Sequence, residues 1–118
     1  MKLFFSPQWL FAVFAGCLLS AAQAQTAYPN RAVRLVVAAA PGGGTDIIAR
    51  TLAPKLTEKL GTSVVVENMP GAAGAIAAQY TARAEADGSI LMVGSTSEIG
   101  INPSLYPKLP YNVARDFV

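Results

Sequence analysis

Two short segments carry residue types that could bind a small anion. They read Pro41-Gly42-Gly43-Gly44-Thr45-Asp46 and Ser95-Thr96-Ser97. Consecutive glycines let backbone N–H groups come close to a ligand, and a helix that starts behind them adds the positive end of its dipole. The hydroxyl groups of the second segment could donate hydrogen bonds to a carboxylate. The two segments together predict an anion-binding site.

Each of these residues also has a purely structural interpretation. The glycines could form a tight turn without a ligand, although one glycine would be enough for that. Asp46 is better explained as a helix cap than as a catalytic acid, because the chain has no histidine to partner it and its only cysteine is Cys17. Asn68 could bind the ligand or simply close a loop. Serine and threonine are also common in loops and caps.

The glycine segment does not match the nucleotide-binding loops. A P-loop has Lys and then Ser or Thr after the last glycine, whereas Thr45-Asp46 follows here. A dinucleotide fingerprint needs a third spaced glycine where Ile47 stands. The sequence therefore predicts no nucleotide and no other cofactor.

Alternating strands and helices position these segments. Strands are predicted over 31–40, 63–68 and 89–94, because these runs are apolar or rich in β-branched residues. The first helix is expected to start at Ile47, with Thr45 or Asp46 as its cap, and to end before Gly61. Its sheet-facing stripe would be Ile48, Leu52, Leu56 and Leu60, and Pro54 would bend it near Arg50.

The remaining elements complete an α/β pattern. A second helix is predicted over 72–86 and a helical turn over 102–106, and another strand would begin at Asp116. Strand–helix–strand units of this kind form a parallel sheet with flanking helices, and ligands bind at the carboxyl ends of its strands. The loops 41–46, 68–74 and 95–97 should converge there.

The first 24 residues are predicted to be a cleaved signal peptide. Lys2 precedes an apolar run from Trp9 to Leu19, and Ala22-Gln23-Ala24 is an A-x-A cleavage motif that would leave Gln25 at the mature end. The apolar run is too short for a membrane anchor. Lipidation of Cys17 is a minor alternative. The chain of 118 residues carries nine basic and seven acidic residues, a balance that argues against a nucleic-acid partner.

The residues after the signal resemble the Bug receptors, the extracytoplasmic substrate-binding proteins of tripartite tricarboxylate transporters. The resemblance rests on motifs in family order: Tyr28-Pro29, Val33-Arg34-Leu35-Val36-Val37, Pro41-Gly42-Gly43-Gly44-Thr45-Asp46, Val65-Val66-Glu67-Asn68, Pro70-Gly71-Ala72, Ala86-Asp87-Gly88, Ile101-Asn102-Pro103-Ser104-Leu105-Tyr106, Leu109-Pro110-Tyr111 and Asp116-Phe117. The chain departs from the family at Ala38-Ala39-Ala40, where prolines and an aromatic residue are usual, and at Ala73, Ala75 and Ala77, where glycine and asparagine are more frequent.

The resemblance implies a periplasmic receptor with a two-lobed type II binding-protein fold and no catalysis. Its ligand would be a small organic carboxylate or amino acid, held by loop amides and hydroxyls and passed to the membrane components of the transporter. Residues 25–118 would form only the first part of lobe one, since the family's chains are about three times longer. Two alternatives remain open from the sequence: a truncated product without function, and a small exported enzyme domain.

Overall fold

The computed structural model describes residues 28–117. Its strands are β1 (Val33–Val37), β2 (Val64–Asn68) and β3 (Ile90–Val93), and its helices are α1 (Gly44–Leu60), α2 (Ala75–Ala82), α3 (Asn102–Leu105) and α4 (Val113–Asp116). A 3₁₀ turn, Ala72–Gly74, precedes α2, and a π-helical turn, Ser97–Ile101, precedes α3. The predicted signal peptide, its cleavage site and Cys17 lie outside the described residues.

The three strands form one parallel sheet in the order β2-β1-β3. Val33 lies opposite Val64 on one side, and Arg34 lies opposite Ile90 on the other. Four of the five residues of β1 are buried, as expected for a central strand covered on both faces. The predicted α/β fold with a parallel sheet and flanking helices is confirmed.

The face that α1 turns to the sheet differs from the predicted stripe. The helix packs on β1 and β2, and its buried residues are Asp46, Ala49 and Ala53. Ile48 is 56% exposed and Leu52 is 44% exposed. Small residues therefore hold α1 close to the sheet, and the four-residue spacing of the large apolar side chains marks a partly exposed face.

The ends of several elements were also predicted wrongly. α1 starts at Gly44, with Gly43 as its cap and no side-chain capping bond, so neither Thr45 nor Asp46 is the cap. The helix runs without a break from Gly44 to Leu60 through Pro54, and Gly61 ends it in the left-handed conformation, as predicted. α2 is shorter than expected, ending at Ala82.

The predicted strand at Asp116 is also wrong, because Val113–Asp116 is one helical turn. The Asn112 side chain caps this turn by accepting a hydrogen bond from the Arg115 N–H. The helical turn predicted over 102–106 is present as α3. Among residues 28–117, no helix is both long and apolar enough to cross a membrane.

The packing of α1 on the sheet predicts a large effect of substitution at one residue and a small effect at its neighbour. Ala49 is fully buried, so Ala49→Leu should overpack the helix–sheet contact and lower the free energy of unfolding by about 1–3 kcal/mol. Ile48→Ala, at the more exposed position, should change it by only about 0.5 kcal/mol. Urea unfolding of both variants measures the difference. A larger loss for Ile48→Ala would mean that the apolar stripe, and not the alanine face, packs on the sheet.

Candidate functional site: a cleft at the carboxyl ends of the strands

A cleft of about 280 Å³ lies where the loops after β1, β2 and β3 meet. All three loops contribute to its walls, as the parallel topology requires. The lining residues are mostly small or polar: Ala38, Ala39, Ala40, Thr45, Pro70, Gly71, Ala73, Gly74, Val93, Ser95, Ser97 and Glu98. The volume suits a small ligand, being near the lower end of the usual range for ligand pockets.

The structure places three of the ten predicted site residues in the wall of this cleft. Thr45 comes from the start of α1, and Ser95 and Ser97 come from the loop after β3. The other seven lie outside the lining, in or behind the loops: Pro41, Gly42, Gly43, Gly44, Asp46, Asn68 and Thr96. Three of the ten residues thus line a cleft at the edge of the sheet where the loops were expected to converge.

The motif analysis did not single out the alanines, Pro70 or Gly71 as ligand-binding residues, although the resemblance predicts a roomier pocket beside Ala38-Ala39-Ala40. Alanine, proline and glycine carry no functional group that a motif search would detect. Their contribution is shape, because small side chains leave the cleft open. The run Ala38-Ala39-Ala40 was the available signal, since a strand that ends in three small residues leaves room beside the glycine loop.

Asp46 is buried behind the glycine loop, where it joins two loops. Its carboxylate accepts hydrogen bonds from the Gly42 N–H (2.8 Å), from Arg50 Nε (2.9 Å) and from Asn68 Nδ2 (2.9 Å). Asn68 Nδ2 also donates to the Ala39 carbonyl (3.0 Å), and its Oδ1 accepts from Arg50 Nη2 (3.0 Å). We call Asp46, Arg50 and Asn68 the first brace. It ties the loop after β1 to the loop after β2.

The first brace shifts the acidity of its own carboxyl group. Hydrogen bonds from Arg50, Gly42 and Asn68 favour the ionised form and lower the pKa of Asp46 to about 2. The polar atoms of Asp46 and Asn68 are engaged within the protein. Their arrangement supports a positioning role for both residues.

A second brace, formed by Asn102 and Tyr111, holds the loop after β3. Asn102 is 1% exposed and its Nδ2 donates to the Ala73 carbonyl (2.8 Å). The Tyr111 hydroxyl, also buried, donates to the Glu98 carbonyl (2.8 Å). These bonds fix the π-helical turn against the 3₁₀ turn, where Ala72 and Ala73 both have left-handed backbone angles.

The polar groups in the cleft wall carry charge of both signs. Gly42 and Gly43 use their N–H groups inside the loop, bonding Asp46 and the Ala40 carbonyl. Thr45 brings the first turn of α1 into the cleft wall, and the N–H groups of that turn have no intrahelical partner, so this part of the wall is electropositive. The carboxylate of Glu98, which is only 4% exposed, lines the same cleft.

Another cavity, of about 320 Å³, lies between α2 and the segment 106–110. Its wall includes Ile76, Gln79, Tyr106 and Lys108 and contains none of the predicted site residues. The cleft at the strand ends is the stronger candidate, because three loops converge on it and the buried carboxylates of Asp46 and Glu98 lie beside it and in its wall.

Within the part of the chain that the structure describes, no group of three or more His, Cys, Asp or Glu side chains could hold a metal ion. The cleft is therefore built from backbone amides, hydroxyls and one carboxylate. Such groups can hold a ligand by hydrogen bonds.

Comparison with known proteins agrees with this architecture. The family of tripartite tricarboxylate transporter receptors matches residues 48–118. Protein BugT of Bordetella pertussis is 40% identical over 110 residues, which cover 92% of this chain and 33% of BugT. The chain thus spans about a third of the length of this curated relative.

Solved structures match the same region. MatC from Rhodopseudomonas palustris with bound malate superposes with a TM-score of 0.72 and 40% identity, covering 75% of this chain and 30% of MatC. A structure described as a periplasmic transporter gives a TM-score of 0.71 and 48% identity, with 74% of this chain and 29% of that chain covered. The fold matches part of a periplasmic binding protein.

The first brace predicts a specific acid sensitivity. The pKa of Asp46 is lower in the folded chain, at about 2, than the usual value of about 3.9 in an unfolded chain. Its ionised form therefore stabilises the fold above about pH 4, and this contribution is lost as the pH falls towards 2. Asp46→Asn should lower the unfolding midpoint at pH 7, and the difference from wild type should shrink as the pH falls to 2.

Thermal unfolding between pH 7 and pH 2 measures this difference. Glu58→Gln is the matched control, since it removes a carboxylate from an exposed position on the same helix. Asp87 also has its pKa lowered to about 2, chiefly by the Ser89 side chain and backbone, so part of the acid sensitivity remains in the variant. A difference between Asp46→Asn and wild type that does not change with pH would contradict the brace.

Proposed function

The chain belongs to the family of tripartite tricarboxylate transporter receptors, and from this premise we propose that it binds a small carboxylate outside the cytoplasm. The bound ligand is delivered to the membrane components of a transporter of the tripartite type. The chain acts by binding and release and not by catalysis. The observation that carries the proposal is the cleft at the strand ends, on a fold shared with a malate-bound relative.

In this proposal, the ligand carboxylate lies against the first turn of α1. The N–H group and the hydroxyl of Thr45 supply donors, and the helix dipole adds about 0.3–1 kcal/mol. Thr45 supports this placement, because it lies in the first turn of α1 and lines the cleft. Ser97 supplies a further hydroxyl from the loop after β3.

The remaining wall of the ligand site comes, in this proposal, from a second lobe. The chain covers 33% of BugT and 30% of MatC. In this proposal residues 25–118 form the first part of lobe one. The cleft is partly open, as expected of a site that closes between two lobes. The two braces keep the first-lobe side of the site in one shape.

The carboxylate proposal is tested by removing the Thr45 hydroxyl in the full gene product. Thr45→Val keeps the shape of the side chain, and the loss of one hydrogen bond should weaken carboxylate binding about twofold to tenfold. Thr51→Val is the matched control, because Thr51 is exposed on the same helix and its hydroxyl donates to the Ile47 carbonyl within that helix.

Calorimetric titration with mono-, di- and tricarboxylates measures both variants. Failure of every carboxylate to bind the wild-type protein would overturn the proposed function. Equal losses for Thr45→Val and Thr51→Val would remove the start of α1 from the site.

We also propose that the mature protein is periplasmic and begins at Gln25. The support is the A-x-A motif at Ala22-Gln23-Ala24, together with a solved relative described as a periplasmic transporter. Mass spectrometry of a periplasmic extract should find an amino-terminal peptide starting at Gln25. A mature chain starting at a lipidated Cys17 would contradict simple secretion.

A further inference from the structure

Glu98 is a buried carboxylate in the wall of a cleft proposed to bind carboxylates. It is 4% exposed, and it belongs to none of the ion pairs formed among residues 28–117. Taking a carboxylate out of water is costly unless hydrogen bonds or a cation compensate. The role of Glu98 therefore depends on the hydrogen-bond partners of its two carboxylate oxygens.

One oxygen of Glu98 has a structural role. Oε2 accepts hydrogen bonds from the Ser95 N–H (2.6 Å) and the Ser95 hydroxyl (2.8 Å). The Ser95 hydroxyl in turn accepts from the Ser97 N–H (3.2 Å). These hydrogen bonds shape the loop after β3, and they involve only one of the two carboxylate oxygens of Glu98.

The other oxygen has no such role. Oε1 accepts no hydrogen bond from the described part of the chain and lies against Gly74. Gly74 has φ +83°, and a Cβ added there would overlap both Oε1 and the carboxyl carbon. The 3₁₀ turn is thus shaped to accommodate this carboxylate, and Gly74 and Glu98 line the same cleft.

Both ends of Glu98 are held in place. The Tyr111 hydroxyl bonds its backbone carbonyl, and Ser95 bonds its Oε2. A negative charge fixed in this way cannot turn away from a ligand at low energetic cost. It favours a ligand that brings an N–H donor or a positive charge, and it opposes one that brings a second negative charge.

We propose that Glu98 selects the ligand: it favours a carboxylate that carries an ammonium group, such as an amino acid, over dicarboxylates and tricarboxylates. This inference rests on the proposed function, because it assigns the electropositive start of α1 to the ligand carboxylate. The ammonium group donates to Glu98 Oε1, which belongs to the same cleft wall. MatC, whose structure contains malate, is a relative with a dicarboxylate ligand.

Three ligand classes of similar length test the proposal by calorimetric titration of the full gene product. Butanoate has one carboxylate, succinate has two, and 2- or 4-aminobutanoate has one carboxylate and one ammonium group. In the wild-type protein an aminobutanoate should bind most tightly and succinate least. In Glu98→Gln the aminobutanoate should lose at least about tenfold in affinity, the change expected for a lost charge-assisted hydrogen bond. Succinate should gain, and butanoate should change by less than about twofold.

Two further variants serve as controls. Glu98→Asp keeps the charge and should keep the wild-type order of ligands. Glu58→Gln removes one exposed negative charge from α1 and should also leave the order unchanged. Thermal unfolding shows whether each variant is folded. If Glu98→Gln does not fold, the order of ligands in the wild-type and Glu98→Asp proteins decides.

The outcomes separate the two proposals. Tightest binding of succinate by the wild-type protein, or the same ligand order in folded Glu98→Gln, would overturn the role of Glu98 and leave carboxylate binding intact. Failure of all these ligands and of tricarboxylates would overturn the proposed function itself.

Discussion

The buried carboxylate of Asp46 is the interaction on which the binding edge of this fold depends. Parallel strands place their following loops at one edge, but nothing in a sheet fixes the loops relative to one another. Asp46 does so by accepting bonds from the glycine loop, from Arg50 and from Asn68. Because Asp46 lies in the first turn of α1, the same bonds also hold the glycine loop against the start of the helix. The glycine loop thus has a defined shape before any ligand arrives.

The second brace extends this order to the third loop. Asn102 bonds the Ala73 carbonyl, and the Tyr111 hydroxyl bonds the Glu98 carbonyl. Ala73 needs such support, since a left-handed backbone is unfavourable for a residue with a side chain. Buried hydrogen bonds therefore stabilise a loop conformation that the local sequence does not favour. All three loops at the cleft are fixed by side chains that do not line it.

The sequence predicted where the strands and helices lie better than it predicted which side of a helix packs on the sheet. The first three strands and the end of α1 at Gly61 followed from local patterns and were confirmed, whereas the strand expected at Asp116 is a helical turn. The face of α1 did not, because Ala49 and Ala53 carry little hydrophobic signal and the larger leucines suggested a different stripe. Nor could the sequence show which glycine of the loop needs its special backbone, which is Gly42 with φ +85°, whereas Gly43 has φ −71°. Such details depend on contacts between residues far apart in the chain.

Contacts between distant residues also decide which side chains of the candidate site remain free for a ligand. Asp46, Asn68 and the hydroxyls after β3 have the residue types of a binding site, yet the structure uses Asp46 and Asn68 to hold the loops. The groups left over are the first-turn amides of α1, the hydroxyls of Thr45 and Ser97, and one oxygen of Glu98. A cleft with so few free polar groups, fixed by two braces, cannot adapt its hydrogen bonding to many ligands. Under the proposed function, this part of the wall selects a ligand by charge and shape, and its charged side chain is that of Glu98.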